Sequence, residues 1–145
     1  MIGITKPRAR YRTLGTEFAG VVDAVGHAVT QFREGDEVFG FAGWYIGANA
    51  DYLCLPANAS LQRKPAGIAF AEAAAAVDGA TTALHFLRDR AGLQAGQRVL
   101  IIGASGSIGT YAVQLAKRLG AEVTGVCGTS NVELVRSLGA DQVID

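Results

Sequence analysis

Apolar residues follow two different rhythms along the chain. From Glu17 to Leu55 they come in short runs cut by turn signals. Phe18 to Val25 precedes Gly26-His27, Phe32 precedes Arg33-Glu34-Gly35-Asp36, Val38 to Phe41 precedes Gly43, and Ala50 to Leu55 precedes Pro56-Ala57-Asn58. Runs this short, interrupted this often, predict strands joined by tight turns, and so a small barrel or sandwich. About four strands are too few to close a barrel, which leaves edges unpaired.

The second rhythm begins near Pro65. Alanine-rich residues 70–77 and the segment Thr81 to Arg90 predict two helices, interrupted at Asp78-Gly79 and closed at Gly92. Arg98 to Ile102 is an apolar run, followed by a glycine-rich turn and a helix from about Ile108 to Leu119. In that helix Ile108, Ala112, Leu115 and Leu119 recur at helical spacing, Gln114, Lys117 and Arg118 face away, and Gly120 ends it. Glu122 to Val126 reads as the next strand, Asn131 to Leu138 as a helix before Gly139, and Gln142 to Ile144 as a third strand. Strand, helix, strand, helix, strand predicts parallel pairing and the first half of a doubly wound nucleotide-binding sheet. With an open barrel before it and half a sheet within it, the chain reads as the middle of a longer protein.

Composition narrows the function classes. The chain has 145 residues, 50% hydrophobic and 18% charged, enough for a sizeable core and unlike a disordered tail. Thirteen Lys and Arg balance thirteen Asp and Glu, so global charge favours neither nucleic acid nor an anionic membrane as partner. Lys6, Arg8, Arg10 and Arg12 form a local basic cluster that reads as a solvated face. No apolar run approaches the ~18 residues of a membrane span, and Pro7 with its basic neighbours interrupts any signal-peptide core. The expectation is a soluble, cytoplasmic protein. Cys54 and Cys127 each lie in an apolar stretch that reads as a strand, and are expected as small buried hydrophobes. Two cysteines and two histidines, His27 and His85, are too few for a disulfide framework or a structural zinc site, and suit a reducing compartment.

The chemistry concentrates in Gly103-Ala104-Ser105-Gly106-Ser107-Ile108-Gly109, directly after a strand and directly before an amphipathic helix. Gly103 permits the sharp turn, Gly106 leaves room for a pyrophosphate against the backbone, and Gly109 lets the helix lie close on the strand. Free N–H groups and the helix dipole then favour phosphate charge. Competing motifs fail on their letters. A triphosphate loop needs Gly-Lys-Ser/Thr starting five residues after its first Gly, where Ile108 stands, a hydrolase elbow on Ser105 needs Gly at residue 107, and no Tyr is followed four residues on by Lys. At the end of the second strand, Val126-Cys127-Gly128-Thr129-Ser130-Asn131 holds no acid to accept a ribose 2′-hydroxyl or repel a 2′-phosphate, which suits NADP(H) better than NAD(H).

Together with Leu14-Gly15-Thr16-Glu17-Phe18-Ala19-Gly20-Val21-Val22, Gly35-Asp36-Glu37-Val38-Phe39-Gly40 and Leu138-Gly139-Ala140-Asp141, this turn resembles the medium-chain dehydrogenase/reductase superfamily. Within it, the chain is most similar to zinc-independent quinone oxidoreductase-like members of the NAD(P)-dependent alcohol dehydrogenase group. The resemblance implies an α/β fold, a partial GroES-like β-barrel over residues 1–65 followed by the first half of a Rossmann doubly wound parallel sheet over 66–145. It implies hydride transfer between NADPH and a quinone, enone or other carbonyl substrate bound between domains, and a homodimer. Residue by residue it carries over the turn Gly103 to Gly109, Ser130 and Asn131 near the adenosine phosphate, and Thr82 near the nicotinamide. Zinc-using members place a ligating His where this chain has Thr16 and a Cys where it has Asp78, and the four-Cys lobe is missing, so no metal is expected. Also missing are the family's N-terminal Asn-Pro-x-Asp-like segment and whatever follows Asp145.

No catalytic acid emerges. His85 sits between Leu84 and Phe86 in a helix and reads as packing or surface, His27 reads as an exposed turn, and Asp36 and Glu37 point to opposite faces of a strand. Trp44, Tyr45 and Tyr52 read as core residues or as an apolar substrate wall. The mechanism expected is hydride transfer by proximity and orientation. The competing reading is a non-catalytic remnant that binds dinucleotide weakly or self-associates through sheet edges, and a third is a reductase domain within a multidomain synthase.

Overall fold

A computed structural model describes residues 13–145. The chain divides into two compact units, one reaching to Val77 and the other spanning Asp78–Asp145. The basic cluster Lys6, Arg8, Arg10 and Arg12 lies outside the described residues, as does Pro7.

The first unit is built on three antiparallel strands, β1 (Glu17–Val21), β2 (Glu37–Phe41) and β3 (Ser60–Arg63), in the order β1-β2-β3. Gly40 of β2 faces Phe18 on one side and Leu61 on the other. A Cβ on Gly40 would stand 2.7 Å from Leu61 Cα, so only glycine allows β3 to approach this closely. The Arg33-to-Asp36 turn forms where the sequence places it, with Gly35 at φ 86°. Asp36 accepts from the Arg33 N–H at 3.1 Å and from Arg63 Nη2 at 2.9 Å, which ties the end of β3 to the turn before β2. The Arg33 N–H first, and then Arg63, holds the Asp36 carboxyl below the usual carboxylate range.

Two expectations fail in this unit. Residues 50–55 form no strand among the described residues. Leu53 and Leu55 are half-buried while Tyr52 and Cys54 are exposed, the alternation of an extended segment, but no strand pairs with it. The strand that does pair with β2 is the polar Ser60-Leu61-Gln62-Arg63, which carries a single inward apolar residue and so little periodic signal. Trp44, Tyr45 and Tyr52 are not core: Trp44 and Tyr45 belong to a short 3-10 turn, and all three are at least half exposed.

Helix α1 (Phe70–Leu84) runs through the division of the chain and continues into one stretch of wider π-helix at His85–Arg90. Sequence predicts a break at Asp78-Gly79, and none occurs. Gly79 is instead a contact residue: a Cβ there would stand 2.8 Å from Tyr111 Cδ2 and 3.0 Å from Ser107 Oγ. Its lack of a side chain lets two helices touch, at some cost in helix propensity.

The second unit holds a parallel sheet ordered β4-β5-β6, from β4 (Arg98–Ile102), β5 (Glu122–Val126) and β6 (Gln142–Ile144), as the alternating pattern predicts. Helix α2 (Ser107–Arg118) connects β4 to β5, and α3 (Val132–Ser137), entered through a 3-10 turn at Thr129–Asn131, connects β5 to β6. Both crossovers step the same way across the sheet, so right-handed connections put both helices on one face. Val113, Val123, Ala116 and Val135 are fully buried there, with Ile101 and Cys127 beside them. Lys117 binds both oxygens of Asp141 at 2.8 Å, and Asp141 Oδ2 accepts the Val123 N–H at 2.7 Å, fastening α2 to the loop before β6. Among the described residues, no helix is long and apolar enough to cross a membrane.

Candidate functional site

Because β4, β5 and β6 are parallel, their carboxyl ends lie along one end of the sheet. The turn Gly103 to Gly109 follows β4, Gly128 to Asn131 follows β5, and Asp145 follows β6. This is the end at which open α/β sheets place ligands.

Gly103 has φ 76°, a value that turns the chain sharply out of β4 and disfavours any side chain. Its N–H and that of Ala104 both donate to the Val126 carbonyl, at 3.0 and 2.9 Å, which fixes the turn to the end of β5. The Gly106 N–H donates back to the Gly103 carbonyl at 3.0 Å, and Ala104 is wholly buried beneath the loop. Gly109 is the packing glycine: a Cβ there would run into the Gly103 carbonyl oxygen and stand 2.8 Å from Ala104 Cα.

Gly106 is the N-cap of α2 and offers no side chain to close the helix end. The first helical hydrogen bond runs from the Thr110 N–H to the Gly106 carbonyl at 2.9 Å, so the N–H groups of Ser107, Ile108 and Gly109 precede it. A Cβ on Gly106 would meet nothing within 4 Å except the Gly103 oxygen at 3.3 Å, so the space in front of the helix is open. Ser105 is half-buried and Ser107 exposed, and no acid lies between Gly103 and Gly109. Unscreened N–H groups, a positive dipole end and a cradle that a side chain would fill suit a pyrophosphate. The buried face of α2 is Gly109, Ala112, Val113 and Ala116, flanked by half-buried Leu115 and Leu119, so the predicted stripe holds at Ala112, Leu115 and Leu119 and fails at Ile108. Ile108 is exposed at the mouth of the turn.

Ser130 is exposed and Asn131 half-buried in the 3-10 turn after β5, whose hydrogen bond runs from the Asn131 N–H to the Gly128 carbonyl at 2.9 Å. Sequence reading missed their neighbour. The Thr129 hydroxyl donates to Asp145 Oδ2 at 2.6 Å, so an acid does reach the end of β5, carried there by β6. The signal was present in the predicted parallel order, which sets the residue after β6 beside the residues after β5.

Thr82 lies on α1 one turn beyond Gly79, the glycine against Ser107 and Tyr111 of α2. Its hydroxyl donates to Asp78 Oδ1 at 3.3 Å, and no hydrogen bond joins it to the glycine turn. His85 is exposed with Nδ1 3.4 Å from Asp89 Oδ2, and the Arg88 guanidinium, more than His85, holds the Asp89 carboxyl below its usual range. His27 is exposed in its turn. Asp36 and Glu37 are taken by different cations, Arg63 and Lys64. Among the described residues, no three His, Cys, Asp or Glu side chains come together.

The alcohol dehydrogenase GroES-like domain family matches residues 2–76, just over half of the chain. The chain belongs to the medium-chain dehydrogenase/reductase superfamily. This medium-chain dehydrogenase/reductase chain is 40% identical over 138 residues to the mitochondrial NAD(P)H oxidoreductase RTN4IP1 of Mus musculus, covering 92% of the chain and 35% of that protein. It is 45% identical over 128 residues to erythronolide synthase EryA2 of Saccharopolyspora erythraea, covering 88% of the chain and 4% of the synthase. The quinone oxidoreductase structure from Coxiella burnetii superimposes with TM-score 0.85 at 33% identity, over 91% of this chain and 42% of that one. The chain thus spans well under half the length of these relatives, and the α/β architecture with an antiparallel and a parallel sheet is shared with such oxidoreductases.

Proposed function

We propose that this chain is the dinucleotide-binding part, with an adjoining portion of the barrel, of a zinc-independent, NADP(H)-dependent oxidoreductase acting on a quinone, enone or other small carbonyl compound. The observation that carries the reading is the turn from Gly103 to Gly109, with its left-handed glycine, its close-packed glycine and its open helix start. The bound cofactor supplies the hydride. The chain's residues bind and orient it: N–H groups of Ser107 and Ile108 hold the pyrophosphate, and Ser130 and Asn131 face the adenosine phosphate. Thr82 lies toward the nicotinamide, as in the family, and no side chain is assigned as a proton donor. The absence of an acid from Val126 to Asn131 supports NADP(H). Thr16 and Asp78 at the family's zinc-ligand positions support a metal-free reaction. Two free cysteines, one of them exposed, suit a reducing compartment such as the cytoplasm. Residues 1–65 would then be the barrel part and 66–145 the cofactor part, in a homodimer.

A second reading, a reductase unit within a multidomain synthase, is favoured by the 45% identity to EryA2. It shares the cofactor site and differs only in what surrounds it.

Titration of the purified chain with NADPH and NADH, followed by nicotinamide fluorescence, tests the proposal beside a Gly106→Asp control. Saturable binding, tighter for NADPH and abolished by Gly106→Asp, supports it. A folded chain that binds neither dinucleotide overturns it in favour of a non-catalytic remnant.

A further inference from the structure

An acid missing from the residues after β5 is supplied from the neighbouring strand. The ladder between β5 and β6 continues past Val126, with the Cys127 N–H donating to the Ile144 carbonyl at 3.1 Å. With Val126 opposite Ile144, that bond sets the backbone of Asp145 next to Cys127, two residues before Thr129. The Thr129 hydroxyl then donates to Asp145 Oδ2 at 2.6 Å and fixes the direction of the carboxylate. Strand pairing positions the residue, and the hydroxyl aims its charge. The consequence is twofold. One of the three small donors after β5 is already spent on Asp145, leaving Ser130 and Asn131. A negative charge also stands at the strand end where Rossmann sheets place the adenosine ribose. Arg136, the basic side chain on the following helix, is itself paired with Glu133 at 2.8 Å.

We infer that Asp145 is a specificity residue, whose carboxylate, held by Thr129, repels a ribose 2′-phosphate and accepts a hydrogen bond from a 2′-hydroxyl. The inference rests on the dinucleotide reading above and refines it: the preference for NADP(H) set by the acid-free segment is restrained by an acid from β6. Asp145→Asn keeps the shape and the Thr129 contact while removing the side-chain charge. Thr129→Val keeps the charge and removes what aims it.

Dissociation constants for NADPH and NADH are measured on the 145-residue chain and on both variants, at low and at high salt, with circular dichroism confirming the fold. Asp145→Asn is expected to shift the ratio toward NADPH on the order of tenfold, as expected for one charge removed near a phosphate at a partly exposed site. The shift arises mainly from tighter NADPH binding, and shrinks in high salt as screening weakens the repulsion it removes. Thr129→Val shifts the ratio the same way by a smaller factor. If both dinucleotides bind and the ratio stays within twofold in Asp145→Asn, the specificity role is overturned while the dinucleotide reading stands. If the folded wild-type chain binds neither, the dinucleotide reading falls and takes this inference with it.

Discussion

Gly109→Ala sets two opposing effects against each other at one atom. Alanine is favoured over glycine inside a helix by about 1 kcal/mol, and Gly109 lies in the first turn of α2, where that gain is at most reached. Against it, the new methyl would overlap the Gly103 carbonyl oxygen and stand 2.8 Å from both Cα and the carbonyl carbon of Ala104. Those contacts are ~0.7 Å short of an ordinary carbon–carbon separation of ~3.5 Å. All of the obstructing atoms are backbone, and they are pinned to the end of β5 by the two bonds to Val126. Relief therefore requires moving α2 off the sheet, which loosens the contacts of Ala112, Val113 and Ala116, all buried. Overpacking of this kind costs ~1–3 kcal/mol and exceeds the propensity gain. Gly109→Ala is thus expected to lower stability by about 1–2 kcal/mol in urea unfolding followed by helical circular dichroism. Gly106→Ala is the control: its Cβ meets only one atom, at 3.3 Å, and its φ of −78° suits any residue, so only alanine's poorer helix cap should lower stability, by under about 1 kcal/mol, while dinucleotide affinity falls. A Gly109→Ala chain as stable as wild type would refute the close-packing role of this glycine.

Other tests follow from the two faces of the parallel sheet and from the α2 ion pair. Val113→Ala empties a fully buried position and should cost roughly 2–3 kcal/mol, transfer plus cavity. Ile102→Ala, at a position 80% exposed, should cost under about 0.5 kcal/mol, and equal losses in urea midpoints would contradict the assignment of faces. Lys117 first, and then the Val123 N–H, depresses the Asp141 carboxyl below its usual range. A depressed carboxyl stabilises the fold above its unfolded value of about 4, and that contribution is lost as pH falls through the lower folded value. Asp141→Asn should therefore be less stable than wild type near neutral pH, with the gap narrowing as the medium is acidified below about pH 4. A gap of constant size across that range would show that the charge of Asp141 is irrelevant.

What sequence made legible tracks how local its physical cause is. The three parallel strands were readable as short apolar runs, and α2 as a helical repeat closed by Gly120 at φ 82°. The glycine turn was readable for the same reason. What escaped depended on a distant partner. Gly79 looks like a helix breaker until Tyr111 is seen against it, and Ser60 to Arg63 look like loop until β2 pairs with them. Residues 50–55 have the alternation of a strand and lack only a neighbour. Cys127 is buried as expected, whereas Cys54, in that unpaired segment, is exposed. The Thr129–Asp145 contact joins residues 16 apart in sequence through the β5–β6 pairing alone.

Strand β4 shows why apolar content and burial part company in this sheet. Val99, Leu100, Ile101 and Ile102 run without alternation, the composition of a parallel strand sheathed on both faces. Only Ile101 is buried, because α2 and α3 lie on its side. Leu100 and Ile102 project the other way at 57% and 80% exposure, and the register aligns Ile102 with Val126 and Ile144, the last 50% exposed. The candidate site at the strand ends does not depend on that open face. The glycine turn, the segment after β5 and Asp145 are held by hydrogen bonds from β4 to β5 and from β5 to β6, and α2 is seated by Gly109 on the covered face. None of these contacts uses the open face. The proposed dinucleotide binding at the sheet end and the covering of the open face are therefore separately testable. The binding titration and the Ile102→Ala stability measurement address them independently.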